Sequence, residues 1–168
     1  MIPTTSIIAG ARAAWRPPQP HHCPQPVFAS DSDLGATKRY EASDRILIAE
    51  DDFLVASEME AALAQAGFEV VGVASSADQA LELAAAELPK LVVMDIRLSG
   101  TRDGIDAALE LFATHGIRCV FATAHQTAET RTRAQPANPL RWLAKPYTML
   151  SLVDTVRRAL QELQPRAS

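Results

Sequence analysis

From Arg45 to Leu163 one unit recurs five times: a short run rich in Val, Ile and Leu, then a stretch with apolar residues at helical spacing. The apolar runs are 45–49, 69–74, 91–95, 117–122 and 140–144. Apolar strands alternating with amphipathic helices require a parallel sheet with helices covering both faces. The expected helices are Phe53–Ala66, stopped at Gly67, and Asp78–Glu87, halted by Pro89. A third opens at Asp103-Gly104 and runs to about His115, ended by Gly116. A fourth, from about Thr127 to Ala134, is short and polar, and Thr148–Leu163 is the last, before Pro165. The expected fold is therefore α/β, a doubly wound five-stranded parallel sheet. No repeat suggests a solenoid.

Length and charge bound the rest. A chain of 168 residues has room for one domain and an appendage. A net charge of −4 gives no sign of nucleic-acid or membrane affinity, and no apolar run is long enough to span a bilayer. Residues 1–44 hold six of the eleven prolines and show no sustained period, so a disordered tail is expected there. Its first thirty residues carry Arg12 and Arg16 but no acid, which faintly resembles a transit peptide; an upstream start codon chosen in error explains them equally well. Ile7-Ile8-Ala9-Gly10 is too short for a secretory core. His21-His22-Cys23 offers metal-binding side chains but no fourth ligand nearby. The two cysteines, Cys23 and Cys119, cannot frame a domain with disulfides. Cys119 lies in an apolar run and reads as a buried thiol, so a reducing cytoplasm fits best. Residues 164–168 form a short C-terminal tail.

The chemistry sits where the apolar runs stop. Arg45-Ile46-Leu47-Ile48-Ala49 is followed at once by Glu50, Asp51 and Asp52, and Leu91-Val92-Val93-Met94 by Asp95. If the two runs are parallel neighbours, Glu50, Asp51 and Asp95 crowd at their carboxyl ends, where open α/β sheets bind ligands. Crowded carboxylates need neutralising, and a hard divalent cation such as Mg²⁺ suits them. Asp95 is the candidate reactive group. Asp52, just before Phe53, reads better as a helix N-cap, and Asp103 as a turn or cap residue. After the fourth run Thr123 offers a hydroxyl to an anionic oxygen, with the small Ala124 leaving room. After the fifth, the ammonium of Lys145 is placed to pair with Asp95 at rest and with a phosphoryl oxygen later; the Lys145–Pro146 bond is a candidate cis peptide. Singly these are loop acids, a strand-end threonine and a surface lysine. Together they make a phosphoryl-transfer site.

Ile-Leu-Ile-Ala-Glu-Asp-Asp, Val-Val-Met-Asp-Ile-Arg-Leu-Ser-Gly, Phe-Ala-Thr-Ala and Leu-Ala-Lys-Pro-Tyr, in that order and spacing, resemble the receiver domain of two-component response regulators. The resemblance covers residues 45–163 and implies a flavodoxin-like strand order 2-1-3-4-5. It implies that Asp95 accepts a phosphoryl group from a sensor histidine kinase or a phosphotransfer protein. Asp51, Asp95 and the carbonyl of Arg97 would then ligate Mg²⁺, with Glu50 holding the ion through water. Thr123 and Lys145 would contact the phosphoryl group. The aromatic residue three positions before the lysine, Trp142, would report the state by an inward or outward rotamer; it also reads as plain core or surface packing. Arg97 and His125, two beyond the acceptor and two beyond the threonine, would flank the path of the attacking water and lengthen or shorten the phosphate's lifetime.

The chain departs from the family before its last strand. Gln135-Pro136-Ala137-Asn138-Pro139 replaces the usual Gly-Ala-like turn, so the fourth helix should be short and partner specificity unusual. Only Gln164–Ser168 follows the last helix, so the expectation is a stand-alone regulator that signals through a downstream protein, by phosphorelay, or as a homodimer. Two other readings stay open. One is a phosphorylation-independent binding module on the same fold, against which the intact Glu50, Asp51, Asp95, Thr123 and Lys145 set argues. The other is a phosphatase or phosphotransferase with an aspartyl intermediate, which would need an acid where Arg97 stands.

Overall fold

The structure is a computed structural model that describes residues 44–164. The expectations for the N-terminal tail, including His21-His22-Cys23, and for the last four residues lie outside the described residues. Five strands, β1 (Arg45–Ala49), β2 (Glu69–Ala74), β3 (Leu91–Met94), β4 (Arg118–Thr123) and β5 (Arg141–Ala144), alternate with five helices. These are α1 (Phe53–Gln65), α2 (Ala77–Glu87), α3 (Gly104–His115), α4 (Ala128–Ala134) and α5 (Met149–Leu163). The sheet order is β2-β1-β3-β4-β5, every pairing parallel, as expected for a doubly wound sheet. Among the described residues, no helix is long and apolar enough to cross a membrane.

Alternation along each strand builds two cores. Leu47 and Ala49 of β1, Val92 and Met94 of β3, and Cys119 and Phe121 of β4 face α2 and α3. Ile46, Ile48, Leu91, Val93, Val120 and Ala122 face α1 and α5. Both faces are therefore dry, which is why these strands read as unbroken apolar runs. Each Val, Leu or Ile buried this way contributes about 1.5–3 kcal/mol. The α2–α3 side is packed with small residues, Ala77, Ala80, Ala84, Ala107 and Ala108. Gly104 lets the start of α3 come closest to the site. A Cβ built on it would stand 1.9 Å from the carbonyl oxygen of Asp95, so only glycine fits.

The helix ends follow local chemistry. Asp52 caps α1 and Asp103 caps α3, as expected, the latter in a reciprocal capping box with Asp106. Ser76 caps α2, so that helix begins at Ala77, one residue before the expected Asp78. Gly116 ends α3 in the left-handed region at φ 67°, where glycine carries no Cβ penalty. α4 is indeed short: a 3₁₀ turn, Gln135–Ala137, follows directly, with Pro136 inside it. Proline has no N–H with which to continue an α-helix.

Candidate functional site

The carboxyl ends of β1, β3, β4 and β5 meet at one point. Glu50 and Asp95 each lie one residue past a strand and extend its ladder: the Glu50 N–H donates to Ala74 O (2.9 Å), the Asp95 N–H to Ala49 O (2.8 Å). Backbone bonds thus fix both acids before any side chain does. Glu50 is 3% and Asp95 7% exposed, while Asp51 reaches solvent. One carboxylate oxygen from each of Glu50, Asp51 and Asp95 lies within 4.8 Å of the others.

Lys145 comes from the end of β5, whose Lys145–Pro146 peptide is cis. Its Nζ donates to Glu50 Oε2 and Asp95 Oδ2, both at 2.6 Å. The expected Lys145–Asp95 pair is present, and Glu50 shares the same ammonium. Burial raises Glu50 above the ordinary carboxylate range, offset only in part by Lys145. Burial alone would lower Lys145, but its hydrogen bonds to Asp95 and Glu50 outweigh that and raise it. The ammonium therefore stays charged between the two acids. Nearby, burial pushes the Tyr147 hydroxyl up to about 12, and it donates to Met59 Sδ at 3.5 Å.

Thr123 ends β4 fully buried. Its hydroxyl accepts from the His125 N–H at 3.2 Å, and its carbonyl accepts from the Lys145 N–H at 3.1 Å. A hydroxyl that accepts one bond still has its own proton to donate. On the other strand end, the Arg97 N–H donates to Asp95 Oδ1 at 3.3 Å. Arg97 and His125 are both exposed, and with Asp51 they line a cleft of about 520 Å³ between the β3–α3 loop and α4. Trp142 sits opposite Phe121 in the β4–β5 register, and their rings stack at 4.7 Å. The Arg131 guanidinium lies over Trp142, 4.9 Å from the ring centroid.

All the donors in the acidic cluster are oxygens, and their number and closeness fit a hard divalent cation of the Mg²⁺ kind. Sequence reasoning singled out each acid, the threonine, the lysine and the tryptophan. It missed the sharing of Lys145 by Glu50, the stacking partner Phe121, and two arginines of α4, Arg131 and Arg133. A lone arginine in a polar helix carries no local signal of its partner, so nothing in the sequence pointed to them.

A parallel 2-1-3-4-5 sheet with acids after β1 and β3 and a lysine after β5 is the architecture of a receiver-type signalling domain. The chain belongs to the response regulator receiver domain family, whose sequence profile matches residues 46–157. It is 34% identical over 120 residues to the transcriptional regulatory protein PdtaR of Mycobacterium tuberculosis (strain CDC 1551 / Oshkosh), covering 71% of this chain and 58% of that protein. To the phyllosphere-induced regulator PhyR of Methylorubrum extorquens it is 30% identical over 130 residues, covering 76% of this chain and 48% of the relative. The chain thus spans only about half the length of these curated relatives. Among solved structures it resembles the signal receiver domain of a modulated diguanylate cyclase from Desulfovibrio desulfuricans G20. That likeness has a TM-score of 0.66 and 32% identity over 71% of this chain and 95% of that one. A CheY-like receiver domain protein from Methanospirillum hungatei JF-1 shares the fold, with a TM-score of 0.66 and 23% identity over 72% and 96% of the two chains. Receiver domains of response regulators work with histidine kinases or phosphotransfer proteins.

Proposed function

We propose that this chain is a phosphorylation-controlled switch that takes a phosphoryl group on Asp95 from a sensor histidine kinase or a phosphotransfer protein. The observation that carries this reading is the 2.6 Å contact of Lys145 with a nearly buried Asp95 beside two further acids. A buried carboxylate so held is a fixed nucleophile with a cation already at its oxygen. An oxygen of Asp95 attacks phosphorus as the N–P bond of the donor phosphohistidine breaks. The imidazole nitrogen leaves with the bonding pair, and Lys145 stays beside the transferring group.

Glu50, Asp51 and Asp95, with the Arg97 carbonyl, would hold Mg²⁺, which when bound neutralises charge on the phosphoryl oxygens. The Thr123 hydroxyl then donates to a phosphoryl oxygen, and Trp142, two residues before Ala144, the register partner of Thr123, responds to the shift of β4. Arg97 and His125, at the mouth of the cleft, set how readily water reaches the acyl phosphate. The signal leaves by contact with a downstream protein or by onward transfer of the phosphoryl group. A cytoplasmic setting agrees with Cys119, a free thiol that burial pushes up to about 12.

The test is intact-mass measurement after incubation with a small acyl phosphate, with and without Mg²⁺, alongside Asp95→Asn. One phosphoryl adduct that needs the metal and is absent from the variant is the expected result. An adduct that survives in Asp95→Asn would move the acceptor elsewhere. No adduct from either an acyl phosphate or a phosphohistidine donor would leave a binding module without phosphorylation.

A further inference from the structure

α4 is attached unlike the other four helices. Of its seven residues only Ala134 is buried, whereas α1, α2, α3 and α5 each bury three or more side chains. One methyl group in the core gives little hydrophobic hold, and a helix this short is unstable on its own. Two arginines of the helix add side-chain anchors. Arg133 donates to both oxygens of Asp103, at 2.5 and 2.8 Å, and to Asp106 Oδ1 at 2.7 Å. Arg131 lies on the Trp142 ring and donates to Gln126 Oε1 at 2.8 Å.

Both anchors end on segments that lead to the site. Asp103 and Asp106 form the capping box of α3, and Gly104 between them stands against the carbonyl of Asp95, its N–H donating to Ile96 O at 2.9 Å. Gln126 follows His125, whose N–H holds the Thr123 hydroxyl. The cleft beside Asp51 has Thr130 of α4 and Asp103 in its wall, so α4 also closes one side of it.

We propose that Arg131 and Arg133 form a polar latch that holds α4 to the domain, and that the α3 capping box is the route by which a change at Asp95 loosens it. The link to Asp95 rests on the phosphoacceptor reading; the latch itself does not. A hold made of exposed ion pairs and a cation–π contact weakens with salt, whereas apolar packing does not.

Hydrogen exchange of the full chain, read by mass spectrometry, separates these. In Arg131→Gln/Arg133→Gln, the amides of 128–134 are expected to exchange roughly tenfold faster, with α5 and the sheet unchanged. In the unaltered protein, raising NaCl from roughly 0.05 M to about 1 M should produce part of the same local change. Unchanged exchange in α4 of the double variant overturns the latch. So does an equal rise across α3, α5 and the sheet, which would mean a loss of global stability. In protein phosphorylated with an acyl phosphate and Mg²⁺, α4 exchange should rise and α3 stay protected. An adduct without that rise overturns the link to Asp95 while leaving the latch. No adduct at all removes the phosphoacceptor reading and its link together, and the double variant still decides the latch.

Discussion

Lys145 is the side chain on which the site's electrostatics turn. Its ammonium stands 2.6 Å from an oxygen of each of two nearly buried acids, Glu50 and Asp95. Taking it away leaves two carboxylates facing each other with little solvent to screen them. Lys145→Met is therefore expected to lower the unfolding free energy by about 3 kcal/mol at pH 7, measured by urea denaturation without metal. Added Mg²⁺ should restore part of that loss, since a second cation can neutralise the same cluster. A variant as stable as the parent would show that the ammonium is not the counter-charge. Asp103 carries a different charge relation: burial favours its neutral form, but Arg133 and the backbone N–H groups of Asp106 and Ile105 outweigh that and hold it below its ordinary value. A carboxyl lowered in the folded state adds stability above its unfolded value, near pH 3.9, and that stability is lost as pH falls through the folded value. The loss of hydrogen-exchange protection over 128–134 caused by Arg133→Gln should thus be full at about pH 5–7 and shrink in more acid solution. An equal deficit at every pH would contradict the pairing.

At the scale of elements, the start of α3 packs directly against the backbone of Asp95. Gly104 brings the helix so close to Asp95 that a Cβ would stand 1.9 Å from its carbonyl oxygen and 3.0 Å from Met94 Cγ. Gly104→Ala must move the helix or the loop that carries Asp95, with an expected cost of about 3 kcal/mol on chemical denaturation. Any variant that does fold should also accept the phosphoryl group poorly, because its Asp95 is displaced. Wild-type stability in this variant would mean that the loop yields freely. The sequence made the elements legible because strands covered on both faces are uniformly apolar, and because Gly67, Gly116 and Pro89 mark helix ends locally. Boundaries slipped where a cap acted one residue early, as Ser76 does for α2. β3 stops at Met94 rather than Asp95 because the acid already belongs to the loop. The double-proline segment announced a short α4, yet not what holds it. Arg131 and Arg133 find Trp142, Asp103 and Asp106 across helices and strands, and such pairings leave no periodicity to read.

For the whole molecule, the carboxyl end of the sheet gathers residues that lie far apart in the chain. Asp51, Asp95, Thr123 and Lys145 were legible as a set because each stands at or just past the carboxyl end of a strand, and parallel strands bring those ends together. How Lys145 divides itself between Glu50 and Asp95 was not, since a side-chain rotamer decides it. If the cluster holds Mg²⁺, the cation should stabilise the fold by about 2.7 kcal/mol at a hundred times its dissociation constant. A thermal melt with and without Mg²⁺ reads this, and Asp51→Asn should remove most of the gain. An undiminished gain in that variant would place the ion elsewhere. The central claim, though, is that Asp95 itself carries the phosphoryl group. The most direct measurement is to treat the phosphorylated protein with borohydride, which reduces an aspartyl phosphate to homoserine, and to sequence the peptides by mass spectrometry. Homoserine at position 95 alone is the expected result. Homoserine at position 51 or 52, or none in protein that bears a phosphoryl adduct, would contradict the account.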